Sequence, residues 1–191
     1  MSEDRMRSEA RNRTIDDWLH RIDGGQLRLP SFQRGEAWDK RRIASMLSTI
    51  INDLPLGITL ILEVGDTEQF HSRPLETAPD PKVKVTEHLL DGQQRLTALW
   101  RALKDNTDVT YFVHVPELDE DPNNDDSAIS VQAIKRWTDK RGRKPRWVDS
   151  PVGCLARGLI PVRLLDPDSH DVDSWVDAAY PTTPIDDDSS V

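Results

Sequence analysis

The stretch HLLDGQQRLTALWRAL, from His88 to Leu103, carries the strongest structural signal in the 191-residue chain. Its first three residues have the pattern of a strand, and Asp91-Gly92 follows them as a tight turn. Four large apolar residues then recur at helical spacing and predict a buried helix face: Leu96, Leu99, Trp100 and Leu103. The sequence therefore predicts a strand that passes directly into an amphipathic helix.

Two apolar patterns on the N-terminal side predict elements that can pack around this unit. Asp39 is a favourable N-cap residue, and a continuous apolar stripe follows it. The stripe predicts a helix that Leu54-Pro55-Leu56-Gly57 ends, and it consists of Ile43, Met46, Leu47, Ile50, Ile51 and Leu54. Residues 58–64 (ITLILEV) are a nearly unbroken run of β-branched residues and leucines, so they predict a buried strand.

The remaining segments predict short helices, strands and loops. Thr14 can cap a helix that Gly24-Gly25 end, and Asp171 begins another short helix. Residues 65–81 contain three prolines and predict a loop. Further strands are predicted at residues 27–30, 83–90, 109–115 and 159–165. This order predicts an α+β fold in which amphipathic helices pack on a small mixed sheet.

The chain is expected to have three parts. Residues 1–13 alternate arginines with acids and predict a flexible arm, and residues 14–165 contain the predicted elements of the folded domain. Residues 166–191 are rich in aspartate and end in PTTPIDDDSSV, which cannot form a core. We therefore expect an acidic tail there, or the start of a missing C-terminal region.

Composition and missing motifs exclude several classes of protein. Acidic residues outnumber basic residues by 34 to 25, which gives a net charge of −9. The single cysteine, Cys154, excludes an intrachain disulfide and a multi-cysteine zinc site. No apolar run approaches the ~20 residues of a membrane span, and the N-terminus lacks the apolar core of a signal peptide, so we expect a cytoplasmic protein. The usual P-loop and dinucleotide-binding glycine motifs do not occur.

The turn around Gly92 predicts a binding site for an anion. The first N–H groups of a helix lack intrahelical acceptors, and the helix dipole is positive at that end. Arg95 lies in the first turn of the helix and can donate paired hydrogen bonds to a phosphate. Gln93, Gln94 and Thr97 are expected to add neutral donors.

A purely structural interpretation of this turn remains open. Asp91 as the N-cap residue, with Gln94 three positions later, matches a capping box. In that case both side chains satisfy backbone amides, and Arg95 is a surface charge.

A second group of polar and aromatic residues precedes the helix that Asp39 caps. Phe32, Gln33, Arg34 and Trp38 lie on or just after a turn between Pro30 and Gly35. An arginine and a glutamine held beside aromatic rings indicate a recognition surface for a base or a phosphate. The alternative is that Phe32 and Trp38 anchor the loop while the two polar side chains are solvated.

These segments together carry a resemblance to a known family. LPSFQRGEAWD (29–39), LPLGITLIL (54–62) and LLDGQQRLTAL (89–99) resemble the N-terminal domain of GmrSD-type modification-dependent restriction endonucleases. The shared pattern runs from about Leu29 to Leu103 and continues more weakly to about Leu165. The family is similar in fold to the ParB and sulfiredoxin nucleotide-binding domains, so the resemblance implies a ParB/sulfiredoxin-like fold.

The resemblance implies nucleotide binding and hydrolysis. In the related domains a G-x-x-R turn grips the phosphates of a nucleoside triphosphate, and residues 92–95 match that turn. The nucleotide would be ATP or GTP, and Mg²⁺ would bridge its phosphate oxygens with Asp91 as a ligand. Gln93 or Gln94 would orient the attacking water.

The resemblance also implies sensing of modified DNA and control of a nuclease. Gln33 and Arg34 would line the nucleotide cleft or contact the DNA modification. Phe32 stands where the family pattern has a tyrosine, so a hydroxyl is lost at this position. The nuclease domain or subunit is absent from this chain, so cleavage by the chain alone is not expected. A homo-oligomer is left open.

The segment 135–146 (KRWTDKRGRKPR) is the best DNA-contact candidate outside these motifs. It contains seven basic residues and one acid, and most of the basic residues lie between Trp137 and Trp147. The predicted phosphate contacts are Lys135, Arg136, Arg141, Arg143, Lys144 and Arg146. Alternatively, this segment pairs with residues 117–126, which hold six acids and no base.

Three functions therefore follow from the sequence. The leading prediction is a nucleoside-triphosphate-binding or hydrolysing sensor domain of a restriction or phage-defence system. The alternative is a non-catalytic DNA-binding module in which the turn 91–95 holds a DNA phosphate. A metal-dependent nuclease would need a carboxylate cluster that the sequence does not supply.

Overall fold

The computed structural model of the chain describes residues 9–35, 37–116, 129–136 and 147–180. The helices are α1 (Ile15–Asp23), α2 (Lys40–Ile51), α3 (Gln93–Lys104), α4 (Pro151–Leu155) and α5 (Val172–Ala179), with a 3-10 helix at Val162–Leu165. The strands are β1 (Leu27–Pro30), β2 (Leu60–Glu63), β3 (Ser72–Arg73), β4 (Glu87–Asp91), β5 (Val109–His114), β6 (Ser130–Lys135) and β7 (Leu159–Pro161). This mixture of helices and small sheets confirms the α+β class.

The first sheet is mixed and holds the strand that leads into α3. Its order is β2-β4-β1-β3, in which β1 and β4 run parallel and the other two pairs are antiparallel. Leu27, Leu29 and Leu89 point into the main core, where each is almost completely buried. The other face of the sheet carries Arg28 and His88, because successive side chains of a strand alternate between faces.

A second, antiparallel sheet has the order β6-β5-β7, so the expectation of one small sheet was wrong. Its central strand separates two clusters of buried side chains. Tyr111 and Val113 belong to the main core, whereas Phe112 belongs to a second cluster with Cys154 and Trp175. Both faces of β5 are therefore buried, which explains why the strand is apolar along most of its length.

The helix starts follow the capping residues that the sequence indicates. The Thr14 side chain accepts a hydrogen bond from the Asp17 amide, and the Asp39 side chain accepts one from the Arg42 amide. Helix α2 ends at Ile51 rather than Leu54, because Asp53 adopts a left-handed conformation with φ of 55°.

The run 58–64 contains an edge strand and is partly exposed, so its predicted burial was wrong. Only Leu60–Glu63 are in β2, which pairs with β4 along one side, and Ile58 is 85% exposed. An apolar run of this length does not reveal whether one or both sides of the strand are covered. The predicted loop 65–81 contains the two-residue strand β3, and the sequence pattern missed β6 and α4 altogether.

Ordered structure continues on both sides of the predicted domain. Beyond Leu165, helix α5 packs on α4, and its Trp175 and Ala179 side chains are buried in the second cluster. Before Thr14, the Arg13 guanidinium forms a bidentate pair with the buried carboxylate of Glu87, at 2.6 and 2.5 Å. This pair raises the pKa of Arg13. Among the described residues, no helix is long and apolar enough to cross a membrane.

Candidate functional site

The turn from β4 into α3 requires a glycine at position 92. Gly92 has φ of +93°, and a Cβ atom there would lie 3.0 Å from Thr59 Oγ1 and 3.2 Å from Arg95 Nη2. Gly92 is itself the N-cap residue, and no side chain caps the helix. The capping-box interpretation, with Asp91 as the N-cap residue, was therefore wrong. The amides of the first turn of α3 lack intrahelical acceptors and carry the positive end of the helix dipole.

Glutamine side chains join this turn to the loop 31–38. Gln33 donates from Nε2 to the carbonyls of Leu89 and Leu90, at 2.7 and 3.1 Å. Gln93 donates from Nε2 to the Arg34 carbonyl at 2.7 Å. These bonds join the loop 31–38 to the end of β4 and the start of α3, although about sixty residues separate the two segments in the chain.

Gln94 completes this connection with both atoms of its side-chain amide. Its Oε1 accepts from the Ala37 amide at 2.8 Å, and its Nε2 donates to the Gly35 carbonyl at 3.2 Å. The side chain is thus already bonded at both ends to the loop. A water-orienting role for Gln94 would require at least one of these bonds to open.

The two motif segments enclose one cavity of about 280 Å³. The cavity is lined by Gln33, Arg34, Trp38, Leu90, Asp91, Gly92, Gln93, Gln94 and Arg95. Gln33 and Arg34, which were expected to line the nucleotide cleft or to contact the DNA modification, thus share one cavity with the DGQQR turn. The Trp38 ring is held on the cavity wall by the Arg42 guanidinium, which lies 4.7 Å from the ring centre.

Two guanidinium groups and one carboxylate set the electrostatics of this cavity. Arg95 donates from Nη2 to the Ile58 carbonyl at 2.5 Å, and the same atom lies 3.6 Å from Asp91 Oδ2. Its Nη1 and Nε bond to no other described residue, so they remain available as donors. The Asp91 carboxylate is 71% exposed, and the Arg34 side chain is exposed without a described partner. The site can therefore accept an anion together with a cation, because the two guanidinium groups attract the anion and the Asp91 carboxylate attracts the cation.

Two residues predicted for this site lie elsewhere. Thr97 is only 1% exposed, because α3 is covered on nearly every side, so its predicted role as a donor to a ligand was wrong. Phe32 is exposed outside the cavity and makes an edge-to-face contact with Phe70, with ring centres 5.3 Å apart. Phe32 thus remains available to a partner, but it does not line the cavity.

Sequence reasoning missed the residues that support the site from behind. Arg73 donates from Nη2 to the carbonyls of Arg34 and Gln33, at 3.2 and 3.4 Å. Thr59 packs against Gly92, and the Ile58 carbonyl holds Arg95. Ile58 and Thr59 lie in the segment 54–62 that carries part of the family resemblance, but only the three-dimensional structure shows that they contact the turn at Gly92.

Arg136, which the sequence predicted to contact DNA, is bound by residues of the fold itself. Arg136 donates from Nε to Thr110 Oγ1 and from Nη2 to the Asp105 carbonyl, each at 2.8 Å, and also pairs with the Asp105 carboxylate. Burial raises the pKa of Asp105, although the Arg136 charge opposes that shift. Lys135 ends β6 and is exposed, whereas Arg141, Arg143, Lys144 and Arg146 lie outside the described residues.

Comparison with known proteins places this cavity in a family context. The family model described as GmrSD restriction endonuclease, N-terminal domain, matches residues 15–147, which include both segments of the cavity. An uncharacterized protein of Methanocaldococcus jannaschii is 29% identical over 129 residues, which are 60% of this chain but only 22% of that protein. No solved structure matches the chain, so the ParB/sulfiredoxin-like fold stays a prediction. Since the family model covers well over half of its residues, the chain belongs to the GmrSD restriction endonuclease N-terminal domain family.

Proposed function

We propose that this cavity binds the phosphates of a nucleoside triphosphate, and that the chain is a nucleotide-binding sensor domain of a restriction or phage-defence system. The observation that carries the proposal is the convergence of the α3 N-terminus with Arg34 and Arg95 in one cavity. Free helix amides and guanidinium groups are the donors that proteins use for phosphate oxygens. Membership in the GmrSD family supports the assignment to a defence system.

The free donors of Arg95 support the proposal that phosphates bind beside this side chain. Because its Nη2 is bonded to the Ile58 carbonyl, the guanidinium is oriented before a ligand arrives. The remaining N–H groups and the amides of residues 93–95 can then bind phosphate oxygens together. ATP and GTP are both compatible with this proposal, because it involves only the triphosphate group that the two nucleotides share.

The residues around the cavity also fit Mg²⁺. Asp91 offers an exposed carboxylate beside the proposed phosphate position, and Mg²⁺ usually binds to one or two carboxylates together with phosphates and waters. When bound, the ion would neutralise charge on the phosphate oxygens. Asp91 would hold it.

Hydrolysis would need an acceptor that orients a water molecule, and Gln93 is better suited than Gln94. Both amide atoms of Gln94 are bonded to the loop, whereas Gln93 uses only Nε2, on the Arg34 carbonyl. Its Oε1 has no described partner and can accept a hydrogen bond from water. The same bond to Arg34 would carry a change at the nucleotide to the loop 31–38, where Phe32 and Trp38 are candidates to sense modified DNA.

Calorimetric titration with ATP and GTP in the presence of Mg²⁺ tests this proposal. The Arg95→Ala variant should lose nucleotide binding and retain its fold by circular dichroism. Arg157→Ala removes another arginine, which bonds to Gly153 near the second cluster, and should bind as the parent chain does. No binding by the parent chain, or equal binding by Arg95→Ala, would contradict the proposal.

The same cavity also supports a second candidate function, a DNA-binding module without catalysis. Arg34 is exposed and has no described partner, and it could place a DNA phosphate beside Trp38. This alternative predicts DNA affinity that falls with salt and with Arg34→Ala, but no phosphate release from any nucleotide. A phosphate-release assay therefore separates the two functions. In both cases the nuclease would be another domain or subunit.

A further inference from the structure

Helix α2 begins with a charge arrangement that helices normally avoid. Lys40, Arg41 and Arg42 occupy its first turn, and no acidic residue lies there. Cations at this end oppose the helix dipole, so the arrangement is unfavourable for the helix itself. The chain as a whole has a net charge of −9, so composition does not explain the cluster. A binding role for these charges would account for it.

A groove of about 410 Å³ lies directly beside this cluster, between α2 and β6. Lys40 and Arg41 line it together with the hydroxyl-bearing Ser45 and Ser48, and Val131 and Ala133 come from β6. The Ser48 hydroxyl oxygen accepts a hydrogen bond from the Val131 amide at 3.0 Å, which fixes the strand to the helix. The groove thus combines cations, hydroxyl donors and small apolar side chains on a supported surface.

The two cations in the groove have no partner within the described part of the chain. Lys40 and Arg41 are exposed, and neither side chain forms a hydrogen bond or an ion pair there. Arg42 differs, because it stacks on Trp38. Since Trp38 lines the cavity at the α3 N-terminus, the groove and the cavity are neighbouring sites.

We propose that the groove between α2 and β6 binds the sugar-phosphate backbone of DNA through Lys40 and Arg41. Lysine, arginine and serine side chains are common phosphate contacts, and such contacts position a nucleic acid without reading its sequence. The small apolar side chains can pack against the sugars. The inference rests on the proposed function in one respect, because it assigns the surface on which the sensor holds DNA.

The test uses the full chain and a short unmodified DNA duplex, titrated by fluorescence anisotropy over a series of KCl concentrations. The Lys40→Gln/Arg41→Gln double variant should lose roughly tenfold to a hundredfold in affinity, and its salt slope should fall by about 2, because two phosphate contacts are removed. Lys82→Gln/Lys84→Gln is the matched control, since it removes two exposed charges from the segment before β4. Its affinity should change by less than about twofold, because these lysines make no phosphate contact.

Nucleotide titration separates this inference from the proposed function. The Lys40→Gln/Arg41→Gln variant should bind ATP as the parent chain does, whereas Arg95→Ala should lose ATP and keep the salt-dependent DNA affinity. Undetectable duplex binding by the parent chain would overturn the inference, and so would an equal loss in both double variants. An unchanged affinity in the groove variant would also overturn it and would direct attention to an acidic protein partner. Thermal unfolding midpoints no lower than that of the parent chain show that the variants are folded.

Discussion

The Gln93 side chain donates a hydrogen bond to the main-chain carbonyl of Arg34 at 2.7 Å, and this contact joins two segments that line the cavity. Gln93 belongs to the first turn of α3, whereas Arg34 belongs to the loop after β1. A residue that lines the cavity is thus connected directly to the loop that carries Phe32 and Trp38. This connection gives the first prediction.

Gln93→Ala should loosen the loop without unfolding the chain. Loss of one largely buried hydrogen bond should lower the free energy of unfolding by about 1 kcal/mol, because Arg73 still donates to the Arg34 carbonyl. If the cavity binds nucleotide, affinity should also fall. Urea denaturation and calorimetry measure the two effects. Gln132→Ala, at an exposed position of β6, is the matched control and should change neither quantity.

Gly92→Ala should be among the more damaging single substitutions at the site. The new Cβ would meet Thr59 at 3.0 Å in a backbone conformation with φ of +93°. A strained left-handed residue costs about 1–3 kcal/mol of stability, and the start of α3 would shift as well. Thermal and chemical denaturation report the loss. Gly65→Ala is a suitable comparison, because nothing lies within 4 Å of its added Cβ and its φ is not positive. Equal stability of the two variants would refute the strain argument.

Arg136→Ala should destabilise the chain more near neutral pH than in acid. The pKa of Asp105 is already raised in the folded state, so folding favours its protonated form, and stability falls as pH rises from the ordinary carboxyl pKa to the raised value. Removing Arg136 takes away the charge that opposes this shift, so the pKa should rise further. We expect a loss of roughly 2 kcal/mol at pH ~7 and a smaller loss at pH ~4.

Urea denaturation at the two pH values measures this difference. A pH-independent loss would mean that Arg136 acts through its packing and its bonds to Thr110 and the Asp105 carbonyl rather than through the Asp105 carboxylate. Lys135→Ala serves as the control, because this neighbouring side chain is exposed and makes no described bond. DNA affinity should be little affected by Arg136→Ala in a chain that remains folded.

Trp175→Ala tests whether α5 is part of the folded unit. Trp175 is buried in the second cluster against α4, so its truncation should cost about 3–5 kcal/mol. Val176→Ala, at the next position of the same helix, should cost much less because Val176 is 43% exposed. Denaturant titration of both variants compares them directly. Similar small losses would show that the domain ends before α5, as the sequence suggested.

Local features of the fold could be predicted from the sequence, whereas long-range pairing could not. Thr14 and Asp39 cap helices through bonds to residues three positions away, and such bonds leave a clear pattern. The two-sheet arrangement depends on which strands meet, and the apolar character of β5 and β2 did not reveal that β5 is central and β2 lies at an edge. Predictions failed where the outcome depended on distant partners.

The candidate site shows the same division. The turn at Gly92 and the position of Arg95 follow from a strand that ends at a glycine, so the residues of the candidate anion site could be proposed from the sequence. The use of Gln33 and Gln94 as loop contacts could not, because their partners are main-chain atoms more than fifty residues away. The internal pairing of Arg136 could not be predicted for a related reason, since it depends on a buried acid from the end of α3.

The position of β5 between two clusters has a consequence for how the molecule melts. Tyr111 and Val113 face one cluster and Phe112 faces the other, so neither cluster can unfold without exposing one side of the shared strand. Unfolding should therefore be cooperative, with a single calorimetric transition whose van't Hoff and calorimetric enthalpies agree. A destabilising substitution beside Cys154 would then lower the melting temperature of the entire chain. The distant glutamine contacts at the start of α3 would be lost at the same lowered temperature.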